Sequence, residues 1–415
     1  MAAISQTTLH STLHHTLACA ARARASRARR AWRAISLVTC IASWVAGAAC
    51  VPPTEPEDIT AATPWEIHPA PSVDDGTAYW PDAQWRTALP SQVGMDSASM
   101  ATLSLDVRRK RWPRMHSLLV VHRGYLVLNE YLGGVAPDTL QPMQAATTMV
   151  TGLIVGVAVR EGKLRVGDGV GLLLPEYADL AASGTKSAMT VEYLMTMRTG
   201  LQFPEEPYQG SLLQALNQSK SDWLRLILSQ ALVGANGDQW RYNSGSAIVL
   251  GGMIHSVTGE AADVYAKRTL FAPLGIAKSS WFIGQPNGLP QMGGGLSLTS
   301  PDMARIGYLM LRSGRWNGAP IVSDAWVASM RERMSRSVGQ WSAYSLDYGR
   351  MIWVLPPIPA TSDVDVLAAS GGGGQWIFVV PGKDLVIVAT GDANTTEDFA
   401  KPIQLLYNVI VPAVK

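Results

Sequence analysis

Apolar positions along the chain fall into two periodicities. After Ala145, the residues Val150, Leu153, Ile154, Val157 and Ala158 recur at helical spacing, and Gly162 ends the run. Ser117–His122 and Tyr125–Tyr131 are dense in branched and aromatic residues and flank Arg123-Gly124, which predicts a β-hairpin. A second hairpin is expected from Gln375–Val380 and Leu385–Ala389 around Pro381-Gly382. Asp96 or Ser97 can cap a helix running to about Arg111. The middle of the chain reads as helical over Val191–Met197, Leu212–Ala231, Ala247–Val257 (closed by Gly259) and Ala261–Leu270. Ser300-Pro301-Asp302 supplies a capping hydroxyl, a first-turn proline and a first-turn acid, opening a helix to about Arg312. A last helix covers roughly Phe399–Val409. Strands at both ends with helices between them predict an α+β fold: an antiparallel sheet formed by both ends of the chain, flanked by helices, with a mostly helical inserted subdomain. The expected division is a leader (1–50), a Pro-rich tether and arm (51–90) and one domain (91–415). Within that domain, 91–165 and 290–415 form the α/β part and 166–289 the helical part.

Charge changes this picture at one end. The first fifty residues hold six of the 34 basic residues (Arg22, Arg24, Arg27, Arg29, Arg30, Arg33) and none of the 32 acids. The remainder therefore carries 28 basic against 32 acidic residues, which argues against a nucleic-acid partner. All three cysteines, Cys19, Cys40 and Cys50, also lie there, which excludes a disulfide framework or a Cys-ligated metal for the folded domain. An Arg-rich stretch, an apolar run from Ala34 to Ala49 and the small residues before Cys50 read as export machinery. Three forms fit: a lipoprotein leader with Cys50 as the lipidation candidate, an uncut membrane anchor, or an organellar transit peptide. The first two place the domain outside the cytoplasm, in the periplasm or cell envelope, tethered to the membrane.

Four blocks carry a family resemblance: Thr147–Lys163, Thr190–Gln202, Gly293–Gly318 and Gly371–Gln375. With them, the chain resembles the serine β-lactamase-related family, which includes class C β-lactamases, D-alanyl-D-alanine carboxypeptidases, esterases and 6-aminohexanoate-dimer hydrolase. The Tyr-Asn-Ser-Gly run at 242–245 and the Pro-Glu-Glu-Pro-Tyr loop at 204–208 lean towards the last branch. The resemblance implies the β-lactamase/transpeptidase-like fold and hydrolysis of amide or ester bonds through a helix-opening Ser-x-x-Lys, a Tyr-x-Asn or Tyr-x-Ser, and an edge-strand Lys-Thr-Gly or His-x-Gly.

This sequence departs from that pattern. The nucleophile position falls on Ala145 and the lysine position on Thr148, while Tyr242 is retained in Tyr242-Asn243-Ser244. The edge-strand motif reads Gly372-Gly373-Gly374-Gln375, with no Lys or His at Gly372. A methyl group cannot form an acyl-enzyme, and a hydroxyl in place of the amine supplies no base. The resemblance also implies an oxyanion hole built from backbone N–H groups at Ala145 and near Gln375. The expectation is a pseudoenzyme whose cleft (Ala145, Tyr242, Ser244, Gly373, Gly374, Gln375) holds a small-molecule or peptide ligand bearing an amide or ester, with no cofactor and no metal. An active amidase or esterase using non-standard residues, and an envelope protein that partners an active paralogue, are the competing readings. Ser183-Gly184-Thr185-Lys186 is the chain's one Ser-x-x-Lys, but no long apolar helix follows it, and it reads as a loop. Thr147 and Thr148 read as helix-start hydroxyls, not replacement nucleophiles. His68, His116, His122 and His255 are scattered without metal-ligand spacing, and Glu205 and Glu206 read as a solvated loop.

Overall fold

The computed structural model describes residues 79–81, 84–180, 184–284, 288–341, 344–357 and 365–415. The leader with Cys50, most of the tether, His68 and Ser183 lie outside the described residues. An eight-stranded antiparallel sheet organises the rest. Its strands are β1 (Met115–His122), β2 (Tyr125–Tyr131), β3 (Ser335–Trp341), β4 (Tyr344–Tyr348), β5 (Trp353–Leu355), β6 (Val366–Gly371), β7 (Gln375–Val380) and β8 (Leu385–Gly391). Their order is β2-β1-β8-β7-β6-β5-β4-β3. The early hairpin thus joins the late strands through β1 and β8, in the register Leu119↔Val388. Both predicted hairpins are present, and Arg123 (φ 51°) and Gly124 (φ 82°) turn the first.

Both faces of the sheet are covered. Leu119 and Val121 of β1 and Ile377 and Val379 of β7 face one apolar cluster. Their neighbours Leu118, Val120, Trp376 and Phe378 face the other. Strands buried on two sides read as continuous apolar runs instead of alternating ones. The first cluster packs under helices α2 (Thr147–Arg160), α3 (Ser244–Thr258) and α4 (Ser300–Leu311); the second packs under α1 (Ser97–Arg108) and α5 (Thr396–Leu405). Asp96 caps α1 by accepting from Ser99 N at 2.8 Å. Gly259 (φ 72°) closes α3 in the left-handed conformation that favours glycine.

Three local expectations are corrected. Leu212–Ala231 is two helices, Leu212–Gln218 and Trp223–Leu228, because Asp222 caps the second by accepting from Arg225 N at 3.1 Å. The cap of α4 is Thr299, one residue earlier than expected; the Ser300 hydroxyl instead pairs with Ser117 Oγ at 2.8 Å. Strands β3 to β6 were not expected from the sequence pattern at all.

Candidate functional site

The site forms where the start of α2 meets the end of β6 and the start of α3. Ala145 lies in a 3-10 turn, Gln144–Ala146, that leads straight into α2. Gln144 holds φ 50°, a left-handed conformation that costs a non-glycine residue energy and tends to cluster at functional turns. Met143 N donates to Leu296 O at 2.8 Å, tying the turn to the short strand Leu296–Leu298. On the opposite side, Gly371 packs so closely that a Cβ there would meet Met143 O at 2.1 Å and Ala145 N at 3.1 Å. Only glycine lets the strand backbone approach the turn this way.

One helical turn beyond Ala145, Thr148 is 5% exposed and donates its hydroxyl to Ala145 O at 2.9 Å. The same hydroxyl stands beside the phenols of Tyr242 and Tyr348. Tyr242 immediately precedes Asn243, which caps α3 by accepting from Ser246 N at 3.1 Å. Burial holds the Tyr242 phenol well above its ordinary value of 10.0, and the nearby Tyr348 and Glu205 push it the same way. Tyr348, buried on β4, is raised by burial too, with the adjacent Thr148 hydroxyl pulling the other way. Trp240, Tyr242, Tyr348 and Trp353 form one aromatic group. Tyr242 stacks on Trp353 (centroids 6.2 Å, planes 5° apart), and Tyr348 meets Trp353 edge-on at 4.9 Å.

Glu205 corrects the solvated-loop expectation. It is partly buried, and its carboxylate accepts from both Ser244 N and, at 3.0 Å, Ser244 Oγ at the first turn of α3. Burial raises its pKa from 4.5 to about 7, against the opposing pull of the two Ser244 hydrogen bonds. A Pro-Glu-Glu-Pro run carries no signal for this, because the partner lies 39 residues away. The glycine-rich run expected on an edge strand instead joins two interior strands, β6 and β7. Gly371 packs against Ala145, and Gln375 pairs opposite Gly371 in the β6–β7 register. Gln375 Nε2 donates to Gly391 O at 2.5 Å, so this side chain ties the turn to β8. Gly372 opens onto free space, while Gly373 and Gly374 (both φ 83°) make the turn. Of the residues expected at the site, Ala145 lies against Thr148, and Thr148 beside Tyr242. Lys186 of the lone Ser-x-x-Lys donates to Leu228 O at 2.7 Å, away from this group. No His/Cys/Asp/Glu cluster suited to a metal occurs among the described residues.

The family model for beta-lactamase matches residues 113–406, which includes every residue of this site. The chain belongs to the beta-lactamase family. It is 26% identical over 322 residues to 6-aminohexanoate-dimer hydrolase of Paenarthrobacter ureafaciens, covering 72% of this chain and 79% of that one. A Salmonella agona (strain SL483) protein provisionally named D-alanyl-D-alanine carboxypeptidase is 26% identical over 212 residues, 46% of this chain. This chain spans about half the length of that relative (49%). Among solved structures, EstCE1, a hydrolase with promiscuous acyltransferase activity, superposes with a TM-score of 0.62 at 18% identity, covering 74% of this chain and 97% of that one. The β-lactamase/transpeptidase-like fold expected from the sequence is therefore the fold observed, and it is a serine-hydrolase fold.

Proposed function

We propose that this member of the family is a pseudoenzyme: its cleft holds an amide- or ester-bearing ligand without forming a covalent intermediate. One observation carries the reading. At the strained turn that opens α2 stands a methyl group, Ala145, and the side chain one turn on is a threonine whose hydroxyl is bonded to Ala145 O. Acyl transfer on this fold needs a nucleophile and a nearby proton acceptor. Tyr242 does not replace the acceptor, because its phenol stays protonated far above neutral pH. A carbonyl oxygen of such a ligand would dock on the backbone N–H groups at Ala145 and near Gln375. The Arg-rich leader ending at Cys50 supports an exported, membrane-tethered protein. No helix among the described residues is long and apolar enough to cross a membrane.

Restoration tests the reading. Ala145→Ser combined with Thr148→Lys should hydrolyse p-nitrophenyl acetate at least tenfold faster than the native chain. A folded double variant with no gain would contradict the view that these two positions silence the site. A second reading, an active hydrolase, is favoured by one observation: Ser244 Oγ is paired with Glu205, a carboxylate whose pKa sits near neutrality. Ser244 is only 3% exposed and packs under Gly293, where a Cβ would meet its own at 2.7 Å, so substrate access to it is poor. A fluorophosphonate adduct mapped to Ser244 would establish that reading in place of the first.

A further inference from the structure

One surface stands apart from the acid excess of the domain. Residues 108–114, Arg-Arg-Lys-Arg-Trp-Pro-Arg, put five basic side chains into seven positions between the end of α1 and the start of β1. Three are held by acids: Arg108 by Glu130 at 2.9 Å, Arg111 by Asp106 at 2.6 Å and Arg114 by Asp392 at 3.1 Å. Arg109 and Lys110 are exposed, and their side chains pair with no acid among the described residues. Lys110 also takes φ 56° as α1 ends, where Lys110 N donates to Val107 O at 2.9 Å and Arg111 N to Asp106 O at 3.1 Å. Glycine fits that left-handed position at least cost, so a lysine there works against the preference of the backbone. Apolar side chains stand among the cations. Leu105 is 45% exposed one helical turn before Arg109, and the Arg111 guanidinium lies 5.9 Å from the ring centroid of half-buried Trp112. Trp112, Arg114 and Lys401 of α5 line a shallow pocket whose other wall is the Gly373–Gly374 turn. Asp398 lines it too, already accepting from Thr395 Oγ1 at 2.8 Å.

We infer that this face docks on an anionic bilayer surface, with Arg109 and Lys110 against the lipid phosphates and Leu105 and Trp112 at the headgroup level. Two exposed, unpaired cations select a negatively charged occupant. The exposed leucine and the tryptophan select a bilayer over a soluble polyanion, which offers charge without an apolar layer beneath it. Docking would set the turn that follows Gly371, and with it the end of the sheet that carries the site, beside the headgroups. The inference rests on the membrane-tether reading above and adds a second, lipid-selective contact made by the folded domain itself.

The test follows amide hydrogen exchange of the full chain at Arg109, Lys110 and Arg111, whose N–H groups are bonded to backbone carbonyls and so are protected enough to follow. Vesicles of phosphatidylcholine are compared with vesicles of phosphatidylcholine and phosphatidylglycerol in equal parts. The anionic vesicles should slow these amides at least threefold beyond the neutral ones, and salt at about 0.5 M should remove the difference. Arg109→Glu with Lys110→Glu should abolish it. Lys110→Gly should reduce it while leaving Tm unchanged or higher, which separates lost docking from lost structure. Equal exchange with both vesicles, a difference that survives the double charge reversal, or equal slowing by heparin without lipid would overturn the inference. Flotation of the same samples reports the tether separately. A chain that floats with neutral vesicles but shows no anionic effect overturns the inference alone. One that floats only with anionic vesicles, and loses flotation on the double charge reversal, overturns the tether reading alone.

Discussion

Replacing Glu205 by Gln should make the folded protein more stable at pH 8 and leave it nearly unchanged at pH 4.5. Glu205 ionises at 4.5 in its ordinary state and at about 7 in the fold, because burial disfavours its charge. Between those values the folded state holds a proton that the unfolded state has lost, so stability falls as pH rises, and the penalty is complete above about pH 7. At ~1.4 kcal/mol per pH unit of difference, the ceiling is about 3 kcal/mol. Glu205 is partly exposed, so solvent screening brings the expected figure down to about 1–2 kcal/mol. Glutamine retains an oxygen for Ser244 N and an amide that the Ser244 hydroxyl can accept from, so packing and hydrogen bonding change little. Urea unfolding of both proteins from pH 4.5 to 8.5, taken as the difference between them, isolates this group from the other titrations. A difference that stays constant across the range, or a variant less stable at pH 8, would refute the reasoning.

Two further predictions concern the scaffold. Gly156→Ala in the middle of α2 should destabilise by about 2 kcal/mol despite the helix propensity of alanine, because its Cβ would meet Trp326 Nε1 at 2.2 Å; a shift of Tm measures it, and an unchanged Tm contradicts the packing. His122 is buried with Nδ1 3.2 Å from Asp384 O, and burial holds its pKa below the ordinary 6.5. Its contribution is therefore present above pH 6.5 and declines as pH falls below it, so His122→Gln should flatten the acid side of the stability profile, which a matching slope in both proteins would disprove.

The legible parts of this fold were those whose cause is local. The β1–β2 and β7–β8 hairpins announce themselves because apolar runs meet at Arg123-Gly124 and Pro381-Gly382. The helix after Ala145 was legible from its spacing, whereas Tyr242 was singled out only through the family resemblance. What stayed hidden depends on distant neighbours. β6 reads Val-Leu-Ala-Ala-Ser-Gly, too small-residue-rich to announce a strand, yet all six residues are buried between β5 and β7. The split at Ser219–Asp222 is reinforced by Tyr177, whose hydroxyl donates to Asp222 at 2.9 Å from another element. Glu205 was misread for the same reason, since only tertiary folding brings it onto Ser244. The Gly371–Gln375 run showed that a glycine-rich turn was present, but not how closely Gly371 packs against Ala145.

The most direct measurement is the intact mass of the native full chain after prolonged exposure to a fluorophosphonate and, separately, to a reactive β-lactam. The structure offers a methyl group at the turn and a protonated phenol beside it, so neither reagent should add mass under conditions that label an active family member completely. Stoichiometric mass gain on any hydroxyl of the cleft, whether Ser244, Thr147 or Thr148, would show that covalent chemistry survives here and would contradict the account.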